Sequence, residues 1–484
     1  MQTFIGHDTM VALSTILRSG ETVRFINPEK VCKGMELGEV PSDRQIIRDT
    51  LTVAWPSVLE SFFINLAGVV DTIMVGSLGS YAIAAVGLTT QPKFLGLAVF
   101  LSLNVAVSAI VARRKGADDR ESANRVVRMA LLVTLILTAL ISVIFVAFAG
   151  PIVTMVGSQP DTHEYAVEYL QIIMGCQGFS TVSLVLNAAQ RGAGNTRIAM
   201  ITNLISNVVN VVFNYLLIGG NFGFPALGVR GAAIATVLGT VCACVLSIFS
   251  VMRKNSFICL RHVKGWIADK LSIKSMGNVW SSSFVEQVCL RIGFLLFSMT
   301  VAHLGTTELA SHQIGMNMMS MSFSFGDGLS VASVTLIGQS LGRKRPDMAK
   351  IYGNVCQKVG FLCACVMGVV YFFFGGDIFL LYTTDPVILD YGAMIMRILS
   401  VILFMQIEQV VLFGCLRGAG DTRFTALVSL VSVTFIRPGV SWLLCYPLGL
   451  GLLGAWLGTA CDQFVRFFLT FIRFRKGNWT RLKL

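Results

Sequence analysis

Long apolar runs separated by short polar stretches dominate the pattern along this chain. Twelve runs are each near the ~20 residues that a helix needs to cross the hydrocarbon of a bilayer. They lie at 51–77, 85–112, 127–150, 165–189, 198–219, 229–252, 278–302, 310–338, 354–376, 391–416, 424–446 and 452–474. The strands of a β-barrel would be about ten residues long with alternating polarity, a pattern that these runs lack. We therefore predict an all-α membrane protein with about twelve transmembrane helices.

The twelve predicted helices form two copies of one six-helix unit. Arg-Gly-Ala-Gly-Asn-Thr-Arg at 191–197 returns as Arg-Gly-Ala-Gly-Asp-Thr-Arg at 417–423, and the two starting positions differ by 226. The same offset places Gly116 on Gly342 without a gap. An even number of helices returns each copy to the side of the membrane where it began, so both bundles are predicted to have the same orientation.

Polar segments mark the boundaries of the two bundles. Residues 1–50 are predicted to be a cytoplasmic extension of little fixed structure, followed by the first bundle at 51–252. The segment 253–277 is the strongest polar interruption and is predicted to be a cytoplasmic linker. The second bundle then covers 278–474, and 475–484 form a cytoplasmic tail.

Composition and charge support this arrangement. The chain is 54% hydrophobic and only 13% charged, with a mean hydropathy of +0.73, whereas soluble domains hold roughly a quarter charged residues. The net charge of +12 is concentrated after the even-numbered helices, in loops that carry Arg113, Arg114, Lys115, Arg120, Arg191, Arg197, Arg343, Lys344, Arg345, Arg417 and Arg423. The positive-inside rule places these loops and both termini in the cytoplasm of a cell whose inner or plasma membrane holds the protein. Topology thus explains the basic charge, and no nucleic acid partner is expected.

Ionisable residues within a transmembrane helix are costly and mark transport pathways. Glu60 and Asp71 on the first predicted helix are eleven residues apart, which places them within ~20° of one helical face and ~16 Å apart along the axis. The fifth predicted helix carries amides at steps of four, three and four, namely Asn203, Asn207, Asn210 and Asn214. These amides lie within a sector of ~60°, where they either bind neighbouring helices or line a site.

Asp71, Asn210 and Asn214 are predicted to share a site for H⁺ or Na⁺, because a tunable carboxylate needs polar partners. In the second half Glu286 occupies the repeat position of Glu60, whereas Phe297 occupies that of Asp71. The symmetry is therefore kept at one acid and broken at the other.

Glu286 and Glu408 are the candidate H⁺ or Na⁺ ligands of the second half. One of them could instead be neutralised by Arg291 or Arg437. Asp327 and Asp462 are weaker candidates, since they could lie near Arg437 or Arg466. Candidate residues for a substrate cleft are Glu60, Asn207, Gln287 and Gln406.

The sequence lacks the residue patterns that nucleotide binding or catalysis would need. The segment 338–344 comes nearest to a phosphate loop, but it lacks the spacing and the Ser/Thr after its lysine. His303 and His312 have no partner at the spacing of a catalytic motif. We predict a secondary transporter rather than an enzyme, with no cofactor beyond the coupling ion.

Several motifs in register resemble those of the multidrug and toxic compound extrusion (MATE) family, over roughly residues 45–475. They are the two Arg-Gly-Ala-Gly-[Asn/Asp]-Thr-Arg segments, Val70-Asp71-Thr72, Ala310-Ser311-His312-Gln313-Ile314, and the stretch from Asn210 to Asn214-Tyr215. The resemblance implies two six-helix bundles around a V-shaped cleft and drug efflux in exchange for H⁺ or Na⁺. It also implies that the first helix carries the coupling acid at Asp71 and bends at Pro56.

The chain matches neither of two branches of this family fully. The DinF-type branch has an aspartate where Asn214 stands, while the span-seven glutamate of the NorM-type branch falls on Glu286. The span-ten acid of the latter branch falls on Gln406, and Glu408, two positions on, is ~200° around the helix. The coupling ion therefore stays open.

The function expected from these residues is the export of amphiphilic, mostly cationic organic compounds by a monomeric antiporter. The alternative is a flippase for lipid-linked oligosaccharides or lipids from the related superfamily, which would need a basic cleft for phosphate head groups. Arg291 and Arg437 are the intramembrane bases that would suit it. The only support for the major facilitator fold is the loop 116–120 between the second and third predicted helices, and this loop lacks the basic residues expected at its end.

Overall fold

The computed structural model describes residues 27–32, 35–253, 256–261, 270–380, 382–383 and 385–482. These residues form helices and connecting segments without a β-strand. Twelve helical elements correspond to the twelve predicted runs. They are α1 Asp43–Gly76, α2 Ser80–Gly116, α3 Arg120–Ala147, α4 Pro160–Gly175 with Gln177–Gly192, α5 Thr196–Gly219, α6 Gly228–Met252, α7 Lys270–Ala302, α8 Thr306–Gly342, α9 Pro346–Leu380, α10 Pro386–Ala419, α11 Thr422–Cys445 and α12 Gly451–Lys476. The predicted fold class, an all-α membrane protein with two six-helix units, is confirmed.

Length and hydropathy qualify most of these elements as membrane spans. Within the described residues nine single helices are long and apolar enough to cross a membrane, and the bent pair of α4, with a 47° bend, makes ten. The remaining two, α8 and α12, are as long but more polar, with Asp327 inside α8 and Asp462 and Arg466 inside α12.

The observed helices extend beyond the predicted runs at the face where the even-numbered helices end, which we call the basic face. The helix α1 begins at Asp43, eight residues before the predicted start, because the Ser42 side chain caps it by accepting from the Gln45 amide at 3.4 Å. The chain continues as one helix across Pro56. Polar side chains are solvated at this face, so helices can project past the apolar run.

Part of the N-terminal extension is packed rather than loose. Cys32 is buried against the basic-face end of the second bundle, and the Gly38 amide donates to Asp347 at 3.3 Å. Arg345 donates to the same carboxylate at 2.8 Å. The expectation of little fixed structure is therefore wrong for residues 27–32 and 35–42. Residues 1–26 and 33–34, and 254–255 and 262–269 of the predicted linker, lie outside the described residues.

The two bundles contact each other through α1 and α2 of the first and α7 and α8 of the second. At the basic face a Cβ on Gly116 would lie 2.0 Å from the backbone oxygen of Gln339, and one on Gly342 would lie 2.1 Å from that of Arg113. Gly116 and Arg113 correspond to Gly342 and Gln339 at the repeat offset, so this contact is reciprocal. The backbones of α2 and α8 touch there, and only glycine allows it.

Candidate ion and substrate sites

Asp71 is held by two amides of α5. The Asn214 side chain donates to Asp71 Oδ1 at 2.6 Å. The Asn210 side chain donates to the same oxygen at 2.7 Å and accepts from the Thr236 hydroxyl at 3.2 Å. This orientation of the amide gives partners to both its nitrogen and its oxygen. The three residues predicted to share an ion site are thus brought together by α1, α5 and α6.

The amide stripe on α5 serves two different acids. Asn203, about two turns after the start of α5, donates to Glu60 Oε1 at 2.6 Å, and Asn207 donates to the backbone oxygen of Phe63 at 3.3 Å. The four amides share one face of α5 but lie at different heights along it. Because α1 runs beside this face, each amide meets a different part of α1. Asn207 thus binds backbone of α1 rather than an acid.

Lys93 is a residue of this site that the sequence analysis missed. It lies on α2, close enough to Asp71 for the two charges to interact. Its ammonium is 5.9 Å from the centre of the neighbouring Phe94 ring. The sequence signal for it is a lysine within the apolar run 85–112.

Glu60 and Glu286 form equivalent ion pairs in the two halves. Arg191 Nη1 lies 2.7 Å from Glu60 Oε1, and Arg417 Nη2 lies 2.5 Å from Glu286 Oε1. These arginines open the duplicated Arg-Gly-Ala-Gly segments, so one repeat contact occurs twice. Thr425 donates to the other oxygen of Glu286 at 3.0 Å, which leaves Glu286 buried with both oxygens bound.

The predicted partners of the second-half acids are corrected by this geometry. Glu286 pairs with Arg417 because the guanidinium at the end of α10 reaches Glu286 on α7, and neither Arg291 nor Arg437 lies within ion-pair distance of it. Arg437 instead pairs with Asp462 at 2.7 Å, and Arg466, one turn along α12, binds the same oxygen at 2.7 Å. The placement of Asp462 near both arginines is as expected.

Gln406 and Glu408 face different neighbours, as the angle between them requires. The Gln406 amide donates to the backbone oxygen of Met319 on α8 at 3.2 Å. Glu408 is buried towards α9, where a Cβ on Gly360 would lie 3.3 Å from its Oε1. Glu286 and Glu408 share no hydrogen-bond partner in the described part of the chain, and Gln287 is half-buried beside Glu286 on α7.

A cavity of about 340 Å³ lies between the two bundles. Its polar lining includes Glu60, Arg191 and Asn203 from the first bundle, and Asp327 and Arg417 from the second. We call this cavity the central cavity; the α2–α8 contact lies further along both helices, towards the basic face.

Asp327 is the acid of the central cavity that has no cation. Its Oδ2 accepts from the Ser61 hydroxyl on α1 at 3.1 Å, and no described Lys, Arg or His lies within ion-pair distance of it. The suggestion that it lies near Arg437 is wrong, because α8 turns Asp327 towards α1 while Arg437 is bound by α12. Each lining arginine already has a carboxylate, because Arg191 pairs with Glu60 and Arg417 pairs with Glu286 outside the lining.

Comparison with known proteins agrees with this architecture. The family model MatE matches residues 56–216 and 283–443, one match in each repeat. The probable multidrug resistance protein NorM of Thermotoga maritima is 30% identical over 92% of this chain and 94% of its own length. The multidrug resistance protein MdtK of Yersinia enterocolitica is 30% identical over 83% of this chain and 86% of its own.

A solved structure has the same fold. It is described as the outward-facing conformation of a multidrug resistance MATE family transporter of the MOP superfamily, and it superimposes with a TM-score of 0.83 at 20% identity, covering 91% of this chain and 98% of that one. Both repeats match the family model, and two relatives match over most of their length. The chain therefore belongs to the MATE family of membrane transporters, as its motifs predicted, and is not an enzyme.

Proposed function

We propose that this protein is a monomeric antiporter of the plasma membrane that exports amphiphilic organic cations in exchange for H⁺. Both termini lie in the cytoplasm, so the basic face is cytoplasmic. Support comes from relatives named as multidrug resistance proteins. The observation that carries the proposal is that Asp71 and Asp327, two intramembrane carboxylates with no ion pair within 4 Å among the described residues, are held at separate places.

Asp71 is the proton site in this proposal. It is the single carboxylate of its network, and both Asn210 and Asn214 turn amide nitrogens rather than oxygens towards it. Na⁺ prefers a shell of oxygen ligands, and the charge of Lys93 opposes a second cation beside Asp71. A proton needs no such shell, so the site favours H⁺ over Na⁺.

The central cavity is the substrate site. Asp327 lines it without a described Lys, Arg or His within ion-pair distance, so this carboxylate can pair with an organic cation without displacing an arginine. Residues of both bundles line the cavity, so a substrate there contacts both halves. In this proposal the backbone contact of α2 and α8 at the basic face stands between the cavity and the cytoplasm.

The alternative of a lipid-linked flippase gains no support from the buried bases. Arg437 is fully buried and bound to Asp462, so it cannot meet a phosphate head group. Arg291 lies 4.5 Å above the Phe94 ring at the α2–α7 contact, away from the residues that line the central cavity.

Transport in proteoliposomes tests the proposal. Vesicles holding the purified protein are loaded with ethidium, and a pH gradient or a Na⁺ gradient is imposed separately. We expect efflux with the pH gradient, its loss in Asp71→Asn, and a KM raised about tenfold or more in Asp327→Asn. Asp377→Asn, an exposed acid of α9, is the matched control and should transport as the parent does. Efflux with Na⁺ alone would overturn the choice of ion, and no efflux with either gradient would overturn antiport.

A further inference from the structure

A second cavity at the basic face is lined by bases and shares no lining residue with the central cavity. It has a volume of about 220 Å³ and is enclosed by the end of α2, the start of α7 and the end of α8. Its lining comprises Ile110, Arg113, Arg114, Ala117, Ser272, Ser275, Leu341, Gly342 and Lys344. We call it the basic pocket. No described carboxylate lines it, so its three cations are not neutralised from within.

Both arginines of the basic pocket are held in place, and Arg113 keeps one donor without an acceptor. Arg113 donates through Nη2 to the backbone oxygen of Leu482 at 2.7 Å, while its buried Nη1 has no acceptor among the described residues. Arg114 donates to the Ser272 hydroxyl at 2.8 Å and lies 3.5 Å from Asp119 at its outer side. A buried guanidinium N–H without an acceptor costs free energy, which an anion in the pocket would remove.

Lys344 completes the pocket from the second bundle. Its backbone has φ of +59°, in the left-handed region that L-residues other than Asn and Asp rarely adopt. The residue lies in the turn that ends α8, where its amide donates to the Leu341 oxygen at 3.1 Å. The turn thus sets a lysine of one bundle opposite two arginines of the other.

The repeat supplies a version of the same pocket that has one base and one acid in place of three bases. At the offset of 226, Arg113 and Arg114 correspond to Gln339 and Ser340, which line a cavity of about 290 Å³ together with Asp49 and Arg343. We call this the mate pocket. The same backbone arrangement therefore forms with Gln339 and Ser340 in place of Arg113 and Arg114, so packing of the repeat does not require those two arginines.

We propose that the basic pocket binds a phosphate-bearing anion, either the head group of an anionic phospholipid or a soluble phosphate ester. Charge-assisted hydrogen bonds from guanidinium groups to phosphate are strong and directional. Basic pockets between transmembrane helices on the cytoplasmic side suit lipid head groups. A bound phosphate would accept from the free Nη1 of Arg113 and contact Lys344, joining α2 to α8.

The test measures the unfolding temperature of the full chain in nanodiscs. Phosphatidylcholine discs are compared with discs containing increasing phosphatidylglycerol, and a third series adds glycerol phosphate to phosphatidylcholine discs. Stabilisation by phosphatidylglycerol alone identifies a lipid head group, and stabilisation also by glycerol phosphate identifies the soluble ester. No stabilisation in either series overturns the proposal.

Variants locate the effect. Asparagine tolerates the left-handed backbone at position 344, so Lys344→Asn should fold. It should weaken the apparent affinity for the stabilising phosphate compound about fivefold, which is the effect of one basic residue near a membrane surface. Arg114→Gln should do the same if its monodisperse elution shows that it folds. Arg343→Gln, in the mate pocket, is the matched control and should keep the affinity of the parent. An equal loss in Arg343→Gln and Lys344→Asn would assign the attraction to the whole face and overturn the site.

Discussion

The guanidinium of Arg437 lies 5.6 Å from the ring centre of Phe297. Phe297 is the residue of the second repeat that is equivalent to Asp71 of the first. Where the first bundle has a carboxylate held by amides, the second has an aromatic ring under a fixed cation. The cation is in turn bound by Asp462. The two bundles therefore share a frame, but their equivalent positions carry opposite chemistry.

A π-helix accounts for the position of Arg437. Residues Leu430–Ile436 of α11 form this wider turn, which holds one residue more than an α-helix of the same length. Gly231 of α6 and Gly454 of α12 are equivalent positions of the two repeats. A Cβ on Gly231 would touch Leu217 of α5, whereas a Cβ on Gly454 would touch Leu444 of α11. Leu217 and Leu444 are therefore equivalent, and beyond the π-helix the offset between α5 and α11 is 227 instead of 226.

With the shifted register Asn210 corresponds to Arg437. The amide that holds Asp71 in the first bundle is thus replaced by a guanidinium in the second. Successive residues of a helix are about 100° apart, so the one inserted residue rotates the part of α11 after the π-helix by about 100° relative to α5.

Removal of Arg437 should destabilise the fold. In Arg437→Met the buried Asp462 keeps only Arg466, and breaking a buried ion pair costs about 3–5 kcal/mol. Chemical denaturation in detergent micelles measures the change. Arg291→Met is the control, because Arg291 has no carboxylate within ion-pair distance among the described residues; an equal loss in both variants would contradict the role of the pair.

Glu286 is expected to serve structure rather than ion coupling. Glu286→Gln leaves the guanidinium of Arg417 without its carboxylate, so the unfolding temperature should fall as it does in Glu60→Gln, its repeat counterpart. Transport by the folded fraction should keep its dependence on the pH gradient. If Glu286→Gln lost that dependence at unchanged stability, Glu286 would be the ion ligand that the sequence analysis suggested.

Lys93 is expected to select the coupling ion. Lys93→Met removes the positive charge beside Asp71, so a Na⁺ gradient should begin to drive ethidium efflux in proteoliposomes. Lys358→Met, on α9, removes a charge of the same kind away from Asp71 and should leave the response to Na⁺ at the level of the parent. An unchanged response in Lys93→Met would show that its ammonium does not exclude Na⁺.

The glycine contact at the basic face should govern the closed state. Gly116→Ala would set a Cβ 2.0 Å from the Gln339 oxygen, so α2 and α8 must separate and the transport rate should fall tenfold or more. Gly277→Ala on α7 meets no atom within 4 Å and should transport normally. Equal rates in the two variants would mean that the close approach of α2 and α8 is dispensable.

The sequence alone determined the helical architecture and its duplication. Apolar runs of membrane length and the offset of 226 are properties of the chain in one dimension, and they predicted twelve helices and the equivalence of Glu60 and Glu286. Helical periodicity also predicted that Asn210 and Asn214 share a face, as α5 shows. These features depend only on local geometry, which is nearly constant from helix to helix.

The tertiary structure decided which charges meet. Hydropathy does not state which helix a face contacts, so the pairing of Glu286 with Arg417 and the exposure of Asp327 to the central cavity followed only from packing. Lys93 reached Asp71 because α2 lies beside α1. The one-residue π insertion changed which side of α11 carries Arg437, because a helical face depends on every residue before it.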